Sequence, residues 1–147
     1  MRVLFTGNRQ QVLAEAQRLF YVKTIPIISK KQIIRDIKRE NFDILVSNGC
    51  PYILPVDDLK RACDKWVNVH PTYLPYYRGK SPLKEMHAKG VDYIGATLHH
   101  MDKGIDTGPI IYQEKKPFNG SLDERYKQSF ELEAQVFKKG IYEATDF

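Results

Sequence analysis

The chain has 147 residues, 42% of them hydrophobic and 28% charged, with a mean hydropathy of -0.47. That size suits one domain over residues 1–147 burying roughly two-thirds of its unfolded surface, and the composition excludes a disordered chain. The net charge of +5 and pI near 9.1 favour anionic partners without specifying a reaction.

In chain order, Arg2 to Thr6 reads as a first strand, with too few apolar residues before Gly7 for a signal peptide. Gln10 to Phe20 carries Val12, Leu13, Ala16, Leu19 and Phe20 at helical spacing. A second strand is expected over Thr24 to Ile28. Ser29 then opens a capping pattern with Gln32, and Ile33, Ile34 and Ile37 give the next helix its buried face. Lys30, Lys31, Arg35, Lys38 and Arg39 on that helix read first as a solvated face. Phe42 to Ser47 is a third strand.

Lys65 to His70 has strand character, and Pro71 stops it, because proline lacks the N–H that an interior ladder requires. A Pro- and Gly-rich loop runs to Gly79, followed by a helix over Leu83 to Lys89 and strands over Tyr93 to His100 and Ile110 to Gln113. Ser121 and Glu124 form a second capping box. The long helix after it should bury Leu122, Tyr126, Phe130, Ala134, Phe137 and Ile141. Strands alternating with helices predict an α/β protein with a mostly parallel layered sheet. No apolar run approaches the roughly 18 residues of a membrane span, so a cytoplasmic setting is expected. Cys50 and Cys63 make neither a disulfide framework nor a zinc spacing and read as reduced structural thiols.

Chemistry concentrates in Asn68-Val69-His70-Pro71. Residues two apart on a strand share a face, so Asn68 and His70 present an amide and an imidazole side by side, at the strand end where open α/β sheets hold their sites. Asp106 lies in a turn bounded by Gly104 and Gly108. A carboxylate there is suited to hold a histidine as imidazolium, or to pass a proton through a water. Such a trio fits attack of an amine on a carbonyl carbon, with Asn and His donors at the oxyanion. No Gly-x-Ser-x-Gly elbow supports a serine hydrolase. His99 and His100 face opposite sides of a strand, and no zinc helix motif occurs, so no metal is expected. Gly7-Asn8 follows the first strand without Gly-x-Gly-x-x-Gly, which leaves a small phosphate or ribose contact rather than a dinucleotide site. Tyr73, Tyr76 and Tyr77 beside Arg78 suit either stacking on a base or packing of a loop.

These residues resemble the N10-formyltetrahydrofolate-dependent formyltransferases, the superfamily of glycinamide ribonucleotide, methionyl-tRNA and amino-sugar N-formyltransferases. The likeness spans about Phe42 to Ile141. It rests on Asn68-Val69-His70-Pro71-Thr72-Tyr73-Leu74-Pro75, Tyr77-Arg78-Gly79, Gly95-Ala96-Thr97-Leu98-His99 and Asp102-Lys103-Gly104-Ile105-Asp106-Thr107-Gly108. The resemblance implies a Rossmann-like fold of the formyltransferase type, with Asn68, His70 and Asp106 as catalytic residues. His70 and Asn68 would stabilise the oxyanion while Asp106 orients His70 and assists proton removal from the amine. By the same resemblance N10-formyltetrahydrofolate is the co-substrate, its pterin held between Tyr52, Ile53 and Leu54 on one side and Met101, Asp102, Lys103 and Ile105 on the other. A cis peptide at Leu74-Pro75 is also implied. Gly7, Asn8, Tyr77 and Arg78 are the acceptor-side candidates.

The stretch between the first helix and Thr24 is shorter than the family pattern by a strand and a helix, and no RNA-gripping barrel is expected after the terminal helix. The acceptor expected is a small phosphorylated or nucleotide-linked amine, an amino sugar first. Glycinamide ribonucleotide, initiator tRNA contacted through the basic helix, and a non-catalytic folate- or nucleotide-binding module are the alternatives. A homodimer is expected if the shortened sheet leaves open edges.

Overall fold

The computed structural model describes residues 1–59, 65–104 and 106–145. The elements in chain order are β1 (Arg2–Gly7), α1 (Gln10–Leu19), β2 (Tyr21–Ile25), α2 (Lys30–Arg39), β3 (Ile44–Asn48), α3 (Val56–Leu59), β4 (Trp66–His70), α4 (Pro82–Ala88), β5 (Tyr93–His100), β6 (Ile110–Pro117) and α5 (Leu122–Ala144). They build one six-stranded sheet in the order β2-β1-β3-β4-β5-β6. β1 pairs in parallel with β2 and β3, and β3 with β4, whereas β5 and β6 are antiparallel. Strand order therefore reverses at β1, and a crevice opens past the carboxyl ends of β1, β3 and β4.

The period of two in the strands divides the core between the sheet's faces. Val3, Phe5, Val46, Val67 and Val69 point to α1 and α5, where Val12, Ala16, Val136, Phe137 and Ile141 complete one cluster. Leu4, Leu45 and Trp66 point the other way, onto Ile33 and Ile37 of α2 and onto Leu54, Val56 and Leu59. Both expected caps form: Ser29 Oγ accepts from Gln32 N at 3.1 Å, and Ser121 with Glu124 makes a reciprocal capping box. Lys30, Lys31, Arg35, Lys38 and Arg39 are all exposed, as a solvated helix face requires.

Three expectations need correction. The second strand is Tyr21–Ile25, three residues earlier than the apolar run suggests, because Pro26 has no N–H with which to continue the ladder. β6 extends to Pro117, its lysines lying outward on an edge strand. On α5 the buried residues are Arg125, Ser129, Leu132, Glu133, Val136, Phe137, Gly140, Ile141 and Ala144. Three of these are polar and were invisible to apolar periodicity. Arg125 is buried because it donates to the Val91 and Tyr93 carbonyls and to His87 Nδ1 and lies over the Phe118 ring. No described helix is long and apolar enough to cross a membrane.

Candidate active site

β4 ends at His70 because Pro71 follows, and its last turn of pleat sets Asn68 and His70 on one face. Antiparallel pairing with β5 brings His99 opposite Asn68 and Thr97 opposite His70. The loop after β5 returns Asp106 to the same point. Gly108 lets it do so, since a Cβ there would sit 1.7 Å from His100 O. Asp102 Oδ1 accepts from Gly104 N at 2.8 Å and Thr107 Oγ1 at 2.7 Å and closes the turn. Asp106, with φ of 54°, accepts from Gly79 N at 2.9 Å through Oδ2.

The same Oδ2 lies 3.4 Å from His70 Nδ1, and Oδ1 lies 3.6 Å from His99 Nε2. Asp106 thus bridges two histidines. His99 Nδ1 contacts His100 O at 2.9 Å, and because a carbonyl only accepts, that nitrogen carries a proton. Nε2 of the same ring lies 3.1 Å from Asn68 Nδ2 as well as near Asp106 Oδ1. His70 Nε2 contacts Tyr77 O at 2.9 Å, so it too carries a proton, while Nδ1 faces the Asp106 carboxylate.

Burial is the largest influence on His70 and lowers its pKa below the usual 6.5, outweighing Asp106 and the Tyr77 carbonyl, which raise it. Burial and the Asp106 carboxylate thus pull the imidazole in opposite directions, which suits a group that gains and loses a proton during a reaction. For Asp106, burial alone would raise the carboxyl. His99, the charge of His70 and the Gly79 N–H together outweigh burial and hold it below the ordinary carboxylate value. A basic nitrogen beside a fixed carboxylate can take a proton and have the resulting charge stabilised.

Asn68, His70, His99 and Asp106 line one cavity of about 420 Å³. Tyr52, Ile53 and Leu54 form part of its wall, and Met101 and Asp102 another part. Ile53 is 48% exposed, an apolar side chain without protein cover on the wall of a site-sized cavity. Ile105 lies outside the described residues, as does Cys63, and Lys103 is not among the lining residues. Cys50 is a free thiol on the cavity wall. No three described His, Cys, Asp or Glu side chains gather as metal ligands.

Gly7, Asn8, Tyr77 and Arg78 are also not among the lining residues. Gly7 is needed for close approach of β1 and β3, since a Cβ would fall 1.8 Å from Asn48 O. Asn8 is exposed, donating its N–H to Asn48 O and accepting through Oδ1 from Arg9 Nη1. Tyr77 serves the site through its carbonyl, and its ring and that of Tyr73 lie under Lys89 and Lys115 respectively, which favours loop packing over base stacking. Sequence reading passed over two contributors. His99 entered as a zinc candidate and as part of a family motif but without a role at the site, although counting residues along two paired strands would have set it beside Asn68. Arg9 lines the cavity, stacks over Phe130 at 4.2 Å and has Nε 3.5 Å from the buried Glu133.

Residues 11–139 match the family model described as Formyl transferase. The methionyl-tRNA formyltransferase of Lachnospira eligens is 34% identical over 97 residues, covering 63% of this chain and 31% of that protein. The phosphoribosylglycinamide formyltransferase of Mycobacterium tuberculosis is 39% identical over 82 residues, covering 56% of this chain and 38% of that protein. The chain thus aligns with about a third of the length of these curated relatives. The crystal structure of phosphoribosylglycinamide formyltransferase from Anaplasma phagocytophilum superposes with a TM-score of 0.79 at 21% identity, over 99% of this chain and 88% of that one, so the folds agree. With a family match across most of its length, the chain belongs to the formyl transferase family.

Proposed function

We propose that this chain transfers the formyl group of N10-formyltetrahydrofolate to the primary amine of a small phosphorylated or nucleotide-linked acceptor, an amino sugar first. One observation carries the reading: the His70 imidazole, the Asn68 amide and the Asp106 carboxylate meet on the wall of a single cavity. The cavity's size and the uncovered Ile53 suit a flat apolar ring beside that group. The bound donor supplies a carbonyl carbon open to attack.

The chain's own residues then have distinct tasks. Asn68 donates its second N–H to the oxygen that gains charge. As the amine bonds to the formyl carbon and the bond from that carbon to N10 breaks, His70 and Asp106, 3.4 Å apart, would take the proton that the amine loses and return it to N10 of the departing tetrahydrofolate. His99 fixes the Asn68 amide and shares Asp106.

Offering the protein N10-formyltetrahydrofolate with a nucleotide-linked amino sugar, glycinamide ribonucleotide or methionyl-tRNA, and weighing the products by mass spectrometry, tests the proposal. A formylated amino sugar supports it. A product from another acceptor moves the acceptor class, and none from any moves the reading to a binding module. The exposed basic face of α2 favours tRNA as the second reading. That reading requires tRNA binding that weakens steeply with salt, and salt-insensitive or absent binding removes it.

A further inference from the structure

Gly7 and Asn8, expected on the acceptor side, are not on the cavity wall, whereas the next residue, Arg9, is. Its guanidinium is held on three sides. One face stacks on the Phe130 ring at 4.2 Å, Nε lies 3.5 Å from Oε1 of the buried Glu133, and Nη1 donates to Asn8 Oδ1 at 2.6 Å. Gly49, with φ of 72°, leaves room for this head group, because a Cβ there would collide with Arg9 Nη1. Fixing so long a side chain costs rotamer entropy, and no step of the reaction described above uses it.

Nη2 is left over. It has no hydrogen-bond partner among the described residues, and unlike Nε it is not sealed from solvent. Glu133 faces Nε and leaves that outer edge untouched, and because burial pushes its carboxyl up to about 8, it leaves much of the Arg9 charge uncompensated near neutral pH. The carboxylates that line the cavity are already engaged, Asp102 by Gly104 and Thr107, and Asp106 by Gly79 and the histidines. A planar guanidinium fixed in place with one edge open is a preorganised receptor for an oxyanion. Topology indicates whose. Arg9 follows β1 and rests on α5, on the sheet face that α1 and α5 cover, whereas Tyr52, Leu54 and Met101, the wall suited to the donor's ring, pack with α2 on the opposite face. Both walls open onto the one cavity.

We propose that Arg9 is a specificity-determining residue, whose guanidinium binds a phosphate of the amine acceptor and so fixes how far the amine reaches along the cavity towards His70. Nη1 keeps a second N–H beyond the one given to Asn8, and Nη2 keeps both of its own, so two oxygens of one phosphate can be met side by side. Acceptors without an anion at that distance from the amine lose this contact and are discriminated against. The anion site stands on geometry, and only its assignment to the acceptor rests on the formyl-transfer reading.

Titration with inorganic phosphate, followed by nitrogen NMR of the arginine Nε–H signals, tests the anion site without any reaction, with the Arg9 signal assigned by its disappearance in Arg9→Lys. That signal shifts saturably in the wild type, and one that phosphate leaves unmoved overturns the proposal. The kinetic arm uses the acceptor that the protein formylates, with and without its phosphate. Arg9→Gln raises KM for the phosphorylated acceptor on the order of 10²-fold, the scale of truncating one partner of a charge pair, while KM for N10-formyltetrahydrofolate stays within about twofold of wild type. Removing the phosphate from the acceptor weakens wild type by a similar factor and the Gln variant no further, a coupling that a merely structural arginine would not show. A rise in KM for the donor instead gives Arg9 to the folate's carboxylates and overturns the proposal, as does equal dependence on the phosphate in both proteins. If Arg9→Gln is unfolded by circular dichroism, Arg9→Lys, which keeps the charge and loses the fork, replaces it with a loss on the order of tenfold. A phosphate shift at Arg9 without formylation of any amine leaves the anion site as assigned and removes the reaction, so the two failures are distinguishable.

Discussion

Glu133 is fully buried on α5, with Oε2 accepting from Asn48 Nδ2 at 2.9 Å and Oε1 without a hydrogen-bond partner. Arg9 Nε is 3.5 Å away and acts through its charge. Burial dominates and pushes the carboxyl up from 4.5 to about 8, with Arg9 and Asn48 pulling the other way. The native state therefore binds this proton more tightly than the unfolded chain. Its contribution to stability is complete below pH 4.5 and is lost as pH rises towards about 8. The slope is about 1.4 kcal/mol per pH unit, which over the interval amounts to roughly 4–5 kcal/mol.

Glu133→Gln reproduces the protonated acid and should remove this slope. Urea unfolding of both proteins between about pH 5 and 9 measures it. His70 acts in the opposite sense. Because burial lowers its value in the native state, its contribution is lost as pH falls below 6.5, equally in both proteins. The difference between the two curves isolates Glu133: wild type loses stability relative to the Gln variant as pH rises. Parallel curves would show that Glu133 is ionised in the native state and that Arg9 compensates it fully.

Arg125→Leu leaves the Val91 and Tyr93 carbonyls without their buried donor and should cost about 3 kcal/mol, read from the urea midpoint; a change under about 1 kcal/mol would mean that water replaces the guanidinium. The acid limb of kcat/KM should titrate below pH 6.5, because His70 must be neutral and burial lowers its value. A limb above 6.5 would assign the base elsewhere. Gly108→Ala puts a Cβ 1.7 Å from His100 O and must shift the Asp106 turn, so transfer should fall at least about tenfold in a folded protein. Activity within about twofold of wild type would show that the turn adapts.

Much of the site was legible because its side chains lie on regular elements. Asn68 and His70 follow from strand parity and Pro71, and Asp106 from a turn that its glycines announce. What escaped was what regular patterning does not carry. The Tyr77 carbonyl depends on the path of an irregular loop, and His99 on the register between β4 and β5. Arg125 and Glu133 stand outside the apolar stripe of α5, and only tertiary partners permit their burial. In the fold, β2 was misplaced because an apolar run outweighed the missing N–H of Pro26, while α3, a single turn at Val56–Leu59, was too short for any period to register.

The most direct test of the central claim follows a carbon-labelled formyl group from N10-formyltetrahydrofolate into an amine acceptor, with wild type and His70→Ala assayed side by side. The account predicts label in the acceptor amide with wild type and at least about 10²-fold slower transfer with a folded His70→Ala protein. Transfer at the wild-type rate in that variant would contradict it.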